Sequence, residues 1–182
     1  PKPRHEKVVV GWIGSPSTAK YLRSVSDVLE DLSRKHEIRC VAIGPREDQL
    51  VDTPFESVAW TEETEASKLR SLDIGIMPLP DSQWERGKCG YKLIQYMACG
   101  LPVVASPVAV NKQIVTHGQN GFLANDEKEW LDALEQLILD PSMRIQMGRV
   151  GRARVEREYS LQVQGPRLAR MISDAGRPVN SV

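Results

Sequence analysis

A doubly wound, mostly parallel α/β sheet of about six strands with helices on both faces is the fold predicted for this 182-residue chain by three features. Short apolar runs such as Val8-Val9-Val10 show no polar alternation, the pattern of strands covered on both faces. Segments with apolar residues at three-and-four spacing lie between those runs, as amphipathic helices do. Glycine and proline punctuate most of the junctions.

The first strand is Val8 to Ile13, followed by the turn Gly14-Ser15-Pro16. The next helix carries Leu22, Val25, Val28, Leu29 and Leu32 on one face, with Ser15 in the N-cap place and Pro16 at the first helical position. It ends near His36, and a second strand, Ile38 to Ile43, stops at Gly44-Pro45. A third covers Glu56 to Trp60. A helix from about Glu62 to Leu72 leads into the strand Asp73 to Met77, which stops at Pro78. From Pro78 to Cys89 two prolines, several charges and no periodicity predict a long loop, and loops of that length usually carry function. The helix Gly90 to Cys99 is closed by Gly100 and feeds the strand Val103 to Ala105. A short helix from Lys112 to Thr116, a turn at 118–121 and a strand from Phe122 to Ala124 follow. Asp126 and Glu129 form a capping-box pair ahead of a helix bearing Trp130, Leu131, Leu134, Leu137 and Ile138. Asp140-Pro141 opens another, and the chain reads as helix from there to Val182, its arginines on a solvated face. Residues 1–7 read as a linker-like start and 8–182 as one domain.

Charge and cysteine content narrow the function. With 24 basic and 24 acidic residues there is no net field to grip a nucleic acid or an anionic membrane. No apolar stretch suggests a leader or a membrane segment. The three cysteines, Cys40, Cys89 and Cys99, fit neither a zinc site nor a disulfide framework, so a cytoplasmic setting is expected. The G-x-G-x-x-G spacing of dinucleotide sites and the Walker-type Gly-Lys-Ser/Thr are absent.

Ligands of such sheets bind beyond the carboxyl ends of the strands. The richest loop there is 84–92, where Arg86, Lys88 and Lys92 flank Gly87 and Gly90 just before a helix start. Free backbone N–H groups, the positive end of the helix macrodipole and nearby cations together make an anion site, and a phosphate suits it. An ordinary turn with solvated lysines is the competing reading. Lys92 and Gln95 share one helix face, opposite Leu93, Ile94 and Met97. Across the cleft, Gly14 permits close backbone approach and Ser15 offers a hydroxyl and an N–H to the same phosphates. Trp60, after the third strand, suits either stacking beside a base or core packing. Cys89 has no histidine near it in sequence, so no nucleophile is assigned.

Three segments, Asp73 to Pro80, Gly90 to Ala105 (with Met97-Ala98-Cys99-Gly100-Leu101-Pro102) and Gly118-Gln119-Asn120-Gly121-Phe122-Leu123, resemble those of the group 1 glycosyltransferases. Those are retaining sugar transferases of the GT-B fold. The resemblance matches their C-terminal, nucleotide-sugar-binding, Rossmann-like domain; the N-terminal acceptor-binding domain would be a missing partner, carried outside this chain. It implies transfer of a sugar from a nucleoside-diphosphate sugar to an unknown acceptor, with no metal or other cofactor, and an isolated domain that is inactive alone. Through the missing domain the whole protein would work at the cytoplasmic face of a membrane.

The family's signature, a glutamate, seven residues and a second glutamate, falls on this loop and helix, where Gly87 and Gln95 stand in place of both acids. The second acid usually holds the donor ribose, and a neutral Gln95 amide can still donate and accept hydrogen bonds. The first usually contacts the donor sugar. Of the basic residues usual after the first strand only Lys20 is present, so Lys88 and Lys92, with Arg86 in support, are expected to neutralise the diphosphate. By the same resemblance Gly44, Pro45, Trp60 and Thr61 should border the base, and Ser106 and Asn111 the sugar or phosphates. No residue is a convincing general base or nucleophile, so none is assigned as catalytic. The resemblance implies front-face transfer, in which the leaving phosphate helps deprotonate the acceptor, and the absence therefore does not count against it. Two other readings stay open: a non-catalytic nucleotide-sugar-binding module that kept the fold and lost the acids, and a sugar-nucleotide epimerase or hydrolase of the same fold.

Overall fold

A computed structural model describes residues 7–175. Most of the linker-like start, and the helical reading beyond residue 175, lie outside the described residues.

Six parallel strands form one sheet in the order β3-β2-β1-β4-β5-β6. They are β1 Val8–Ile13, β2 Ile38–Ile43, β3 Phe55–Val58, β4 Ile74–Met77, β5 Val103–Ala105 and β6 Gly121–Leu123. Each apolar run became a strand, and all neighbours pair in parallel. The helices are α1 Ser26–Lys35, α2 Glu62–Arg70, α3 Gln83–Arg86, α4 Tyr91–Ala98, α5 Asn111–Ile114, α6 Glu127–Leu139, α7 Pro141–Glu158 and α8 Leu161–Ala175. The chain reverses its direction of travel across the sheet between β3 and β4, so β1 and β4 are adjacent and a crevice opens beyond their carboxyl ends.

Side-chain alternation divides the core in two. Val10 and Trp12 of β1 face one cluster with Leu22, Leu29 and Leu32 from the first crossover and Trp130, Leu134 and Leu137 from α6. Val9 and Ile13 face the other, with Leu69, Leu93, Tyr96, Met97 and Val155 from α2, α4 and α7. Tyr96 is fully buried and staples the sheet at β1 and β4: it accepts from the Ile13 N–H at 2.9 Å and donates to the Ile76 carbonyl at 3.1 Å.

Several boundaries differ from expectation, each for a local reason. The first crossover runs as 3₁₀ turns over Pro16–Val25 before α1 begins. There Ser15, Ser17 and Thr18 hydrogen-bond among themselves, and the Ser15 side chain makes no cap bond. Asp73 lies outside β4 because its carboxylate accepts from the Val9 N–H at 2.9 Å. Trp60 lies beyond β3, since Thr61 caps α2 by accepting from the Thr64 N–H at 3.3 Å. The 78–89 stretch is interrupted by the single turn α3, stopped at Gly87. Asp126 and Asp140 cap α6 and α7, accepting from the N–H groups of Glu129 and Met143, each at 2.9 Å. Glu129 reaches back to the N–H of Asn125, one residue before the expected partner. Among the described residues no helix is long and apolar enough to cross a membrane.

Candidate functional site

A cleft of about 700 Å³ opens at the carboxyl ends of β1, β2 and β4, and it brings together Gly14, Ser15, Gly44, Trp60, Gly87, Lys88, Gly90, Lys92 and Gln95. Ile13, Met77, Cys89, Tyr91 and Glu65 complete much of its wall.

Its floor is backbone. The Gly14 N–H donates to the Ile43 carbonyl at 3.0 Å and the Gly44 N–H to the Val58 carbonyl at 2.9 Å, drawing the ends of the first three strands together. A side chain on Gly44, whose φ is +114°, would sit 2.2 Å from the Gly14 carbonyl oxygen. One on Gly14 would strike the Trp12 ring at 2.4 Å and the Lys92 stem at 2.8 Å. Gly14 thus leaves room for Lys92 to lie across the strand end, its ammonium 5.6 Å from the centroid of the buried Trp12 ring. That placement has a cost: burial, and secondarily the neighbouring Lys88 charge, lower the Lys92 pKa.

Lys88 precedes the helix rather than belonging to it, because α4 starts at Tyr91 with Gly90 as a left-handed N-cap (φ 69°). With glycine as the N-cap no side chain closes the start of α4, and Gly90, Tyr91 and Lys92 line the cleft there beside Lys88, while the Leu93 N–H is turned back to the Gly90 carbonyl at 3.0 Å. The Lys88 ammonium lies 5.5 Å from the centroid of the Tyr21 ring. The loop that carries it is fastened by Glu85, a buried carboxylate that accepts hydrogen bonds from the hydroxyls of Tyr21 and Ser82. Those bonds hold Glu85 below the usual carboxylate range. Burial and Glu85 push the Tyr21 phenol up to about 12.

At the far wall Gln95 and Trp60 converge on Glu65 of α2. Gln95 Nε2 donates to Glu65 Oε1 at 2.6 Å and Trp60 Nε1 to Glu65 Oε2 at 2.7 Å. Trp60 is 49% exposed, so of its two expected environments it occupies the cleft wall and not the core.

Other expected residues stand apart from the cleft lining. Arg86 is turned to Asp81, donating from Nε at 2.6 Å and from Nη2 at 3.2 Å. Ser106 accepts from the Leu79 N–H at 2.9 Å and lines a second cleft of about 780 Å³ with Lys20, Tyr21 and Trp130. Asn111 is buried and donates to the Ser106 carbonyl at 3.0 Å, bracing that loop. Thr61 is spent on its cap, and the Pro45 carbonyl accepts from Ser57 at 2.6 Å. Glu65 was not singled out in the sequence because the first turn of α2 carries Glu62, Glu63 and Glu65, a common means of offsetting a helix dipole. A usable signal existed: Glu65 stands one turn before the buried Leu69, on the face turned towards the sheet.

An all-parallel sheet reversing between β3 and β4, with glycine turns, cations and a helix start at one crevice, defines an α/β domain of the kind that binds anionic ligands at strand carboxyl ends. Within that class, the family model described as "Glycosyl transferases group 1" matches residues 7–140, and the chain belongs to that family. D-inositol 3-phosphate glycosyltransferase of Pseudarthrobacter chlorophenolicus is 32% identical over 138 residues, which are 71% of this chain and 30% of that protein. The capsular polysaccharide biosynthesis glycosyltransferase CapM of Staphylococcus aureus is 34% identical over 172 residues, 87% of this chain and 44% of that one. The chain thus spans less than half the length of these relatives. Among solved structures, HepE of Anabaena in complex with UDP and glucose superposes with a TM-score of 0.77 at 16% identity, over 92% of this chain and 48% of that one. A glycosyltransferase of Rickettsia africae gives a TM-score of 0.77 at 12% identity, over 98% of this chain and 50% of that one. These two likenesses concern the fold, and they match it to one half of the GT-B architecture.

Proposed function

We propose that this chain is the donor-binding half of a retaining glycosyltransferase, holding a nucleoside-diphosphate sugar while an acceptor-binding domain completes the active site. The observation that carries the reading is what the cleft brings together: the cations Lys88 and Lys92 at the start of α4, and the hydrogen-bonded group of Trp60, Glu65 and Gln95. A diphosphate matches the first set and a nucleoside the second. Relatives named as transferases, and HepE structures holding UDP and UDP-glucose, support the same assignment.

In this reading Gly14, Ser15 and Gly90 allow close approach of the phosphates while Lys88 and Lys92 supply positive charge where a metal ion is not used. Gly44 borders the base and Gln95 faces the nucleoside, with Gly87 near the sugar. As the bond to the sugar breaks, negative charge grows on the leaving diphosphate, and preorganised cations lower the barrier by stabilising that charge. The missing pair of acids at Gly87 and Gln95 favours one competing reading, a module that binds donors without turning them over.

A thermal-shift and calorimetric panel of UDP, GDP and ADP with their sugar conjugates tests the proposal. A ligand that binds only the folded state raises its melting temperature, so one base series should stabilise the protein and Lys88→Ala/Lys92→Ala should abolish the shift. No response to any of these compounds overturns the donor-domain reading. Sugar transfer by the full-length protein separates an enzyme from a binding module.

A further inference from the structure

We propose that Glu65 recognises the vicinal diol of the donor ribose, an inference that rests on the donor-binding reading and adds to it a residue in α2. Glu65 is half-buried in the cleft wall, and it is held from two sides by Trp60 Nε1 at 2.7 Å and Gln95 Nε2 at 2.6 Å. An ionised carboxylate accepts at about four lone-pair positions, so after those two bonds each oxygen keeps acceptor capacity. Two adjacent acceptors, fixed in place before the ligand arrives, match two adjacent hydroxyl donors. The fixing matters, because a carboxylate that must be ordered on binding gives up part of what it gains.

Charge and distance select the ribose over the other parts of a nucleotide. Phosphate oxygens beside an acidic group repel it, so Glu65 must face a neutral donor. Gln95, which holds Glu65, follows Lys92 by three residues on α4, an axial offset of about 4.5 Å. A sugar spans that offset from its phosphate, and the base lies farther out. The exposed indole of Trp60 holds the carboxylate oxygen that Gln95 does not, and a base edge or face can meet it there. Gln95 alone would offer a neutral amide; by binding Glu65 it brings a full negative charge to the hydroxyls, and charge-assisted hydrogen bonds are about twice as strong as neutral ones.

The test uses titration calorimetry with whichever of UDP, GDP and ADP binds, together with its 2′-deoxy and 3′-deoxy counterparts. The wild-type chain should bind the ribose form about tenfold or more tightly than either deoxy form. Glu65→Gln keeps the size of the side chain and should bind the ribose form as weakly as the wild type binds the deoxy forms, collapsing the ratio to near one. Its affinity for the deoxy forms should stay within about twofold of wild type, which a merely structural disturbance would not spare. Trp60→Phe keeps the carboxylate and an aromatic ring, loses one anchoring donor and should give a ratio between the two. A wild-type ratio near one overturns the inference, as does a folded Glu65→Gln that discriminates like wild type; in either case nucleotide binding itself survives. Failure of all three nucleotides to bind the wild type overturns the donor reading and this inference with it.

Discussion

Lys92 shows at the scale of one residue how a proposed binding site can work against the stability of its own fold. Its ordinary pKa is 10.5, and burial with the adjacent Lys88 charge lowers it. Between the lowered folded value and the unfolded one, the unfolded chain holds a proton that the folded chain has released, so this group's contribution makes stability rise with pH across that window. Below it both states are charged, and the folded one keeps a constant penalty for desolvating the ammonium. Lys92→Met removes the charge and leaves a flexible, polarisable side chain against the Trp12 ring. Its ligand-free melting temperature at pH 7 should rise by about 2 °C, and the alkaline gain should vanish. Diphosphate affinity should fall by about tenfold or more, the scale of one charged hydrogen bond. Calorimetry and a melting series across pH check both halves, and a variant that melts lower while binding unchanged would remove Lys92 from the site.

At the scale of elements, the loop between β4 and α4 is the part that needs anchoring. It carries Gly87, Lys88 and Gly90 into the cleft, and one of its holds on the body of the domain is the contact of Glu85 with Tyr21 from the first crossover. The sequence made the elements on either side legible: runs such as Ile38 to Ile43 and the face of Leu93 and Met97 have no other good use than a covered sheet and a buried helix side. Placing the lysines beside a helix start was legible for the same reason. The Tyr21–Glu85 anchor was not, since it joins residues 64 positions apart and neither stands in a periodic pattern that points to the other. Ser106 and Asn111 were expected near the sugar or phosphates by the family resemblance; in the structure their polar atoms are bound to Leu79 and within their own loop. Tyr21→Phe removes one of Glu85's two side-chain donors. It should lower the melting temperature by a few degrees and speed tryptic cleavage after Arg86 or Lys88 several-fold. Because Glu85 is held below its ordinary 4.5, the stability it gives is present above that value and is lost as pH falls through the lower folded value; the variant's deficit should therefore be largest at neutral pH and narrow in acid. Unchanged cleavage would mean that this contact does not fix the loop.

For the whole molecule, the donor-binding proposal assigns the balance of 24 basic and 24 acidic residues to how a charged ligand would arrive and the cleft to how long it would stay. A net field would draw a diphosphate in from many ångströms away, and salt would weaken that pull. Here distant charges cancel in sum, and several surface cations are paired locally, among them Arg39 with Glu56, Arg86 with Asp81 and Arg152 with Glu156. In the proposed site Lys88 and Lys92 would act only when the ligand is within contact distance, inside a concave cleft where Lys92 is half-buried and added ions screen less than in open solvent. Raising the ionic strength from 0.1 M to 1 M shortens the Debye length from about 10 Å to about 3 Å, which separates the two regimes. Stopped-flow measurement with the nucleoside diphosphate that binds should give an association rate constant that changes by less than about threefold over that range, because little steering is present to be lost. Replacing both lysines by alanine should then act mainly on the dissociation rate. A tenfold or greater fall in the association rate with salt would show a cationic field that the neutral composition does not supply, and the cleft's charge would then have to be treated as a long-range attractor rather than a local clamp.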